Sequence, residues 1–147
     1  MPRGQQFRVS LERVAINIDD ARIPDNDGNQ PIDLPVVAGG PAAYFATLPI
    51  KAAVAALRGA GIPAAVSNSA GTFLCNHVFY GLMHEASRRD NAFRAGFLHV
   101  PYLPAQAAHV PGAPSMALEQ IAEGIEIILQ VAAERVDDLA VSEGALS

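Results

Sequence analysis

Residues 63–68, PAAVSN, form a short apolar run flanked on both sides by amphipathic segments, and this constrains the fold more than any other stretch. On the upstream side a helix is expected from about Thr47, with Pro49 early, Ile50, Ala53, Val54 and Leu57 as its apolar stripe, and Gly59 and Gly61 as its end. On the downstream side TFLCNHVFYGLMHEASRR reads as a second helix, with Leu74, Val78 and Leu82 on one stripe and Arg88 and Arg89 at its negative end. A strand entered and left through helices joins its neighbours by crossover connections, the signature of a parallel sheet.

Two further strands fit this scheme. VSLERVAINI, residues 9–18, places Val9, Leu11 and Ala15 on one face and Glu12, Val14 and Ile16 on the other. GFLHVPYL is stopped by Pro101 and Pro104, and Ser115 is the expected cap of a long final helix whose Leu118, Ile121, Ile125, Ile128 and Leu129 face the core. The order strand, loop, helix, strand, helix, strand, loop, helix predicts one three-layer α/β/α domain over residues 1–147, with a mainly parallel central sheet. Ligands of such sheets gather at the carboxyl ends of the strands, where Ser67-Asn68 and Val100-Pro101 fall. The loop DDARIPDNDGNQPID, residues 19–33, is too long for a mere connection and reads as functional.

Composition removes several classes of function. Half the residues are hydrophobic and 17% are charged, which excludes disorder and favours a compact or oligomeric protein. A net charge of -5, a single lysine (Lys51) and no basic cluster larger than Arg88-Arg89 argue against nucleic-acid and anionic-membrane partners. One cysteine cannot form an internal disulfide, Met1 opens onto Arg3, Gly4, Gln5 and Gln6 rather than an apolar leader, and no stretch has the length of a membrane span. A reducing, cytoplasmic setting is expected.

The lone Cys75 sits one turn into the second helix, shortly after a strand end, where unsatisfied backbone N–H groups stabilise a thiolate and can also serve an oxyanion. It is either a nucleophile or a small core hydrophobe. A nucleophilic cysteine needs an imidazole within reach. His77 points away from Cys75 on the same helix, His84 is over two turns further on, and His109 lies in a Pro/Ala-rich loop. His99, beside the strand-ending Val100-Pro101, is the best placed, with a hydrogen-bonded core histidine as the bland alternative. Either Glu12, a charge on an apolar strand face, or Asp25, in the loop RIPDN, offers the carboxylate to orient that ring. Gly39-Gly40 lacks the spacing of a nucleotide fingerprint, and His77 with His84 makes no persuasive metal site; neither metal nor cofactor is expected.

Three stretches, SLERVAINIDDARIPDNDGNQPID, SNSAGTFLCNHVFYG and GFLHVPYLPAQ, together resemble the pyrrolidone-carboxylate peptidase (pyroglutamyl peptidase I) family of cysteine exopeptidases, from about Ser10 to about Gln106. The resemblance implies a triad of Glu12, Cys75 and His99, in that chain order, and so favours Glu12 over Asp25. It further implies that Ile23 and Phe73 touch a pyroglutamyl ring and that Arg22 is a site arginine. The expected reaction releases N-terminal pyroglutamate from peptides through a thioester, by a homo-oligomer of the kind the family forms, often a tetramer. The alternative is a non-catalytic α/β subunit that retains the triad residues.

Family members also carry a segment before the ERVAIN motif, with a first strand and aromatic residues over the substrate. This chain begins eleven residues before Glu12, so the resemblance implies a form shortened at its N-terminus and lacking strand there. The opening MPRGQQFR departs from the family's glycine-rich pattern, with Gln6 at the position of an expected arginine.

Overall fold

The computed structural model describes residues 7–144, so the opening Gln6 lies outside the described residues. The chain is α/β, with a mainly parallel sheet. Its elements are β1 (Val9–Glu12), β2 (Val14–Ile16), β3 (Ala43–Phe45), α1 (Ile50–Gly59), β4 (Ala64–Ser67), α2 (Leu74–Arg88), β5 (Phe97–His99), α3 (Pro104–Ala107) and α4 (Leu118–Glu134). They fall into two compact units, one of residues up to Leu11, Leu48–Ser67 and from Leu98 onward, the other of Glu12–Thr47 and Asn68–Phe97.

In the first unit the strands run in the order β4-β1-β5, so β1 has a neighbour on each side. All four β1 residues are buried, which is why their side chains do not alternate between core and solvent. Helix α1 buries Ile50, Ala52, Ala53, Val54 and Leu57 and packs on β4 and α4. Helix α4 meets this layer at Gly124, where a Cβ would make ordinary contact, 3.4 Å from Leu57 Cδ2 and 3.7 Å from Ile62 Cδ1. The start of α1 is capped from a distance, since Asp138 accepts hydrogen bonds from the Lys51 N–H (3.0 Å) and the Ala52 N–H (2.8 Å). Arg58 holds Glu143 through two guanidinium donors at 2.6 and 3.1 Å, and together these contacts lay the segment after α4 along α1.

The second unit pairs β2 with β3 antiparallel, Val14 opposite Phe45, Ala15 opposite Tyr44 and Ile16 opposite Ala43. Helix α2 packs against this pair, and Phe79, Tyr80 and Met83 build a core with Ala15, Ala70 and Ala95. Gly40 is required here. A Cβ on it would lie 2.6 Å from the Tyr80 hydroxyl, which donates to the Pro41 carbonyl at 2.6 Å.

Several local expectations need correction. Residues 9–18 are not one strand, because the chain leaves the first sheet at Arg13 and β2 pairs with β3 instead. Arg13 is held at this break by its carbonyl, which accepts from Ala46 N–H at 2.9 Å, and by its Nε, which donates to Asn68 at 2.8 Å. The Leu74, Val78 and Leu82 stripe of α2 is exposed at 58%, 57% and 39%, while Asn76, Phe79, Tyr80, Met83 and Ala86 are buried. Two aromatic rings and a methionine bury more apolar area than three aliphatics, so their face turns inward. The N-cap of α4 is Ala117, and Ser115 forms an isolated bridge with Tyr102. Of the expected α4 stripe Ile121 and Ile128 are buried, whereas Leu118, Ile125 and Leu129 are exposed, because the face that meets α1 centres on Gly124.

Candidate active site

The loop that leaves β2 is tied at its base. Asp19 N–H donates to the Leu34 carbonyl at 2.7 Å and Leu34 N–H to the Asp19 carbonyl at 3.1 Å. At its tip Asp25 organises a tight turn, its carboxylate accepting from the backbone N–H of Asp27 (2.9 Å) and of Asn29 (2.8 Å) and from the Asn29 amide. Gly28 completes the turn at φ +85°, a conformation open to glycine. The Asn29 N–H, foremost among these donors, holds the Asp25 carboxyl below its ordinary value. Asp25 is therefore a turn-forming aspartate.

The start of α2 is sewn to the residues between β2 and this loop. Asp20 N–H donates to the Thr72 carbonyl at 2.7 Å, and the Thr72 hydroxyl donates to the Asp20 carbonyl at 3.0 Å. Asn76, fully buried, bonds the backbone of Ile16 and Ile18. His77 Nδ1 lies 2.8 Å from Asp19 Oδ2.

Between loop and helix start lies a cavity of about 360 Å³, lined by residues 23–27 of the loop and by Phe73 and Leu74. Ile23 and Phe73, far apart in sequence, thus share one slot. A second cavity of about 470 Å³ shares Asp25, Phe73 and Leu74 and is completed by Asp19, Pro31, Leu34 and His77 among others. Arg22 is exposed on the same loop and lines neither.

Cys75 follows Leu74 directly, is half-buried, and occupies the first turn of α2, whose N-cap Phe73 supplies no side-chain hydrogen bond. The backbone donors of that turn are the groups a helix start leaves for a ligand or an anion. Glu12, fully buried, ends β1; His99, half-buried, ends β5. The two strands are neighbours in the three-stranded sheet. Among the described residues no cluster of three His, Cys, Asp or Glu side chains is arranged for a metal, and no helix is long and apolar enough to cross a membrane.

Sequence reasoning missed Asn76 and the His77–Asp19 contact. Asn76 carried a signal, a polar residue three and four positions before Phe79 and Tyr80 and so on their face of the helix. His77 carried none, because its partner is 58 residues away.

An α/β fold in which a lone half-buried cysteine directly follows two residues that line a small slot, Phe73 and Leu74, suits a cysteine hydrolase. Comparison with known proteins sharpens it. The pyroglutamyl peptidase family model matches residues 3–135. The chain is 56% identical over 142 residues to a pyrrolidone-carboxylate peptidase of Bacillus mycoides, covering 97% of this chain and 66% of that one. It is 57% identical over 143 residues to pyrrolidone-carboxylate peptidase 1 of Ralstonia nicotianae, with the same coverage. Among solved structures, the pyroglutamyl peptidase I of Bacillus amyloliquefaciens superposes with a TM-score of 0.89 at 48% identity, over 94% of this chain and 65% of that one. The pyrrolidone carboxyl peptidase of Thermococcus litoralis gives 0.88 at 42% identity, over 94% and 67%. The chain belongs to the pyroglutamyl peptidase family. It spans about two thirds, 66%, of the length of the relatives named first.

Proposed function

We propose that the protein is a cysteine exopeptidase that releases N-terminal pyroglutamate from peptides. Family membership supports this reading, and the observation that carries it is the slot shared by Ile23 and Phe73 just ahead of Cys75 in the chain. A pyroglutamyl residue has its nitrogen closed into a lactam and bears no charged amine. A small, largely apolar slot with amide partners selects it over an ordinary N-terminus.

In this reaction the Cys75 thiolate attacks the carbonyl that joins pyroglutamate to the next residue, and N–H groups of the first turn of α2 stabilise the oxyanion. His99 protonates the leaving amine, the C–N bond breaks, and a thioester remains. His99 then takes a proton from water, whose oxygen attacks the thioester and releases pyroglutamate and the thiolate. Glu12 holds the imidazole tautomer, as the carboxylate of a triad does. Arg22, exposed on the same loop and outside both cavities, is a site arginine on the strength of the family motif alone. No cofactor takes part, the working form is a homo-oligomer, and the setting is cytoplasmic.

The test is hydrolysis of a chromogenic pyroglutamyl amide. Release that disappears in Cys75→Ser and in His99→Ala is the expected result. Absence of release from the parent protein, with stoichiometric alkylation of Cys75 at neutral pH, would instead identify a non-catalytic subunit.

A further inference from the structure

We propose that Asp19 and His77 form a positioning pair that holds the two walls of the slot at their working separation; the proposal rests on the peptidase reading above for its kinetic consequences. Neither residue lines the slot itself; both line the adjoining cavity, and each belongs to a segment that supplies one wall of the slot. Asp19 closes the base of the loop that carries Ile23, through its two backbone hydrogen bonds to Leu34 at 2.7 and 3.1 Å. His77 closes the turn that begins at Phe73, its N–H donating to the Phe73 carbonyl at 2.9 Å. A shift of either side chain is thereby transmitted to the backbone that carries Ile23 or Phe73.

The contact differs from an ordinary surface ion pair. The Asp19 side chain is 13% exposed while that of His77 is 54% exposed, so the carboxylate is largely withdrawn from water and the imidazole is the partner that stands in for it. Loss of the imidazole leaves a mostly buried acceptor, and the loop base moves to rehydrate it. The two Asp20–Thr72 hydrogen bonds join the same segments by backbone and hydroxyl, so removing the pair loosens the slot without dissolving it. His77 is two positions after Cys75, about 200° round the helix, so the pair acts without touching the reacting atoms.

The experiment compares the full chain with His77→Ala and Asp19→Asn by two measurements. The first is KM and kcat on a chromogenic pyroglutamyl amide; the second is amide hydrogen exchange by mass spectrometry, which needs no turnover. The expected result for His77→Ala is a KM raised about three- to tenfold with kcat within about twofold, and faster exchange confined to residues 19–34 and the start of α2. Asp19→Asn keeps an oxygen acceptor for the imidazole and leaves KM within about twofold of the parent. An unchanged KM in His77→Ala, a loss carried by kcat alone, or exchange that rises equally across β2, β3 and all of α2 would overturn the proposal. If the parent itself releases nothing, the peptidase reading fails and exchange decides the pair alone: local loosening upholds it, and unchanged exchange overturns it.

Discussion

Asn76 holds the backbone of Ile16 from both sides. Its amide oxygen accepts the Ile16 N–H at 3.0 Å, and its Nδ2 donates to the Ile16 carbonyl at 2.8 Å and the Ile18 carbonyl at 3.1 Å. The bonds are made by a side chain with no exposed surface, one residue after Cys75, so they fix where the first turn of α2 stands against β2. Asn76→Ala leaves three backbone groups without that partner. It is expected to cost about 2–4 kcal/mol, since each buried unsatisfied group costs roughly 1–3 kcal/mol and relaxation recovers part. Urea unfolding measures this, and a loss under about 1 kcal/mol would show that water or neighbouring groups replace the amide.

Gly40 leaves room for the Tyr80 hydroxyl, and a methyl group there meets it at 2.6 Å and the Val37 carbonyl at 3.1 Å. Gly40→Ala is expected to destabilise the protein by about 1–3 kcal/mol. Tyr80→Phe removes the hydroxyl and its bond to Pro41, so the double variant is less destabilised than the two single losses combined. Strict additivity in that cycle would place the strain elsewhere.

The Tyr80 hydroxyl is held above its ordinary value of 10.0, first by burial and then by the neighbouring Tyr44. A phenol that ionises less readily in the folded protein contributes stability that is complete below pH 10 and is lost as pH rises through the folded value. Stability therefore falls with alkalinity above pH 10 more steeply in the parent than in Tyr80→Phe. Unfolding free energies measured from neutral pH upward check this, and parallel decline of the two proteins would count against it.

Asp138 accepts two N–H groups at the start of α1, at 2.8 and 3.0 Å, although it comes more than eighty residues later in the chain. It does for α1 what a local N-cap does elsewhere. Asp138→Ala is expected to cost about 0.5–2 kcal/mol, and Asp138→Asn, which keeps one acceptor, less. Equal losses in denaturant unfolding would mean that charge, rather than capping, supplies the stability.

Much of this architecture is legible in the chain because it depends on near neighbours. Pro49 and Gly61 bracket α1, PAAVSN becomes β4, and the place of Cys75 in the first turn after a strand follows from the order of elements. Ile23 and Phe73 could be named from the family motifs, and the structure lines one cavity with both. The split of residues 9–18 was not legible, because an apolar alternation fits either sheet and only the pairing of β2 with β3 breaks it.

Helical spacing offers two apolar faces for α2, Leu74, Val78 and Leu82 or Phe79, Tyr80 and Met83, and periodicity is satisfied by both. The second is buried because Ala15, Ala70 and Ala95 leave space that its rings fill, a matter of shape between segments far apart in the chain. The meeting of Asp19 with His77 is of the same kind. Secondary structure follows from short-range preferences that any stretch carries with it, whereas a contact across 58 residues exists only once packing has brought its two backbones together.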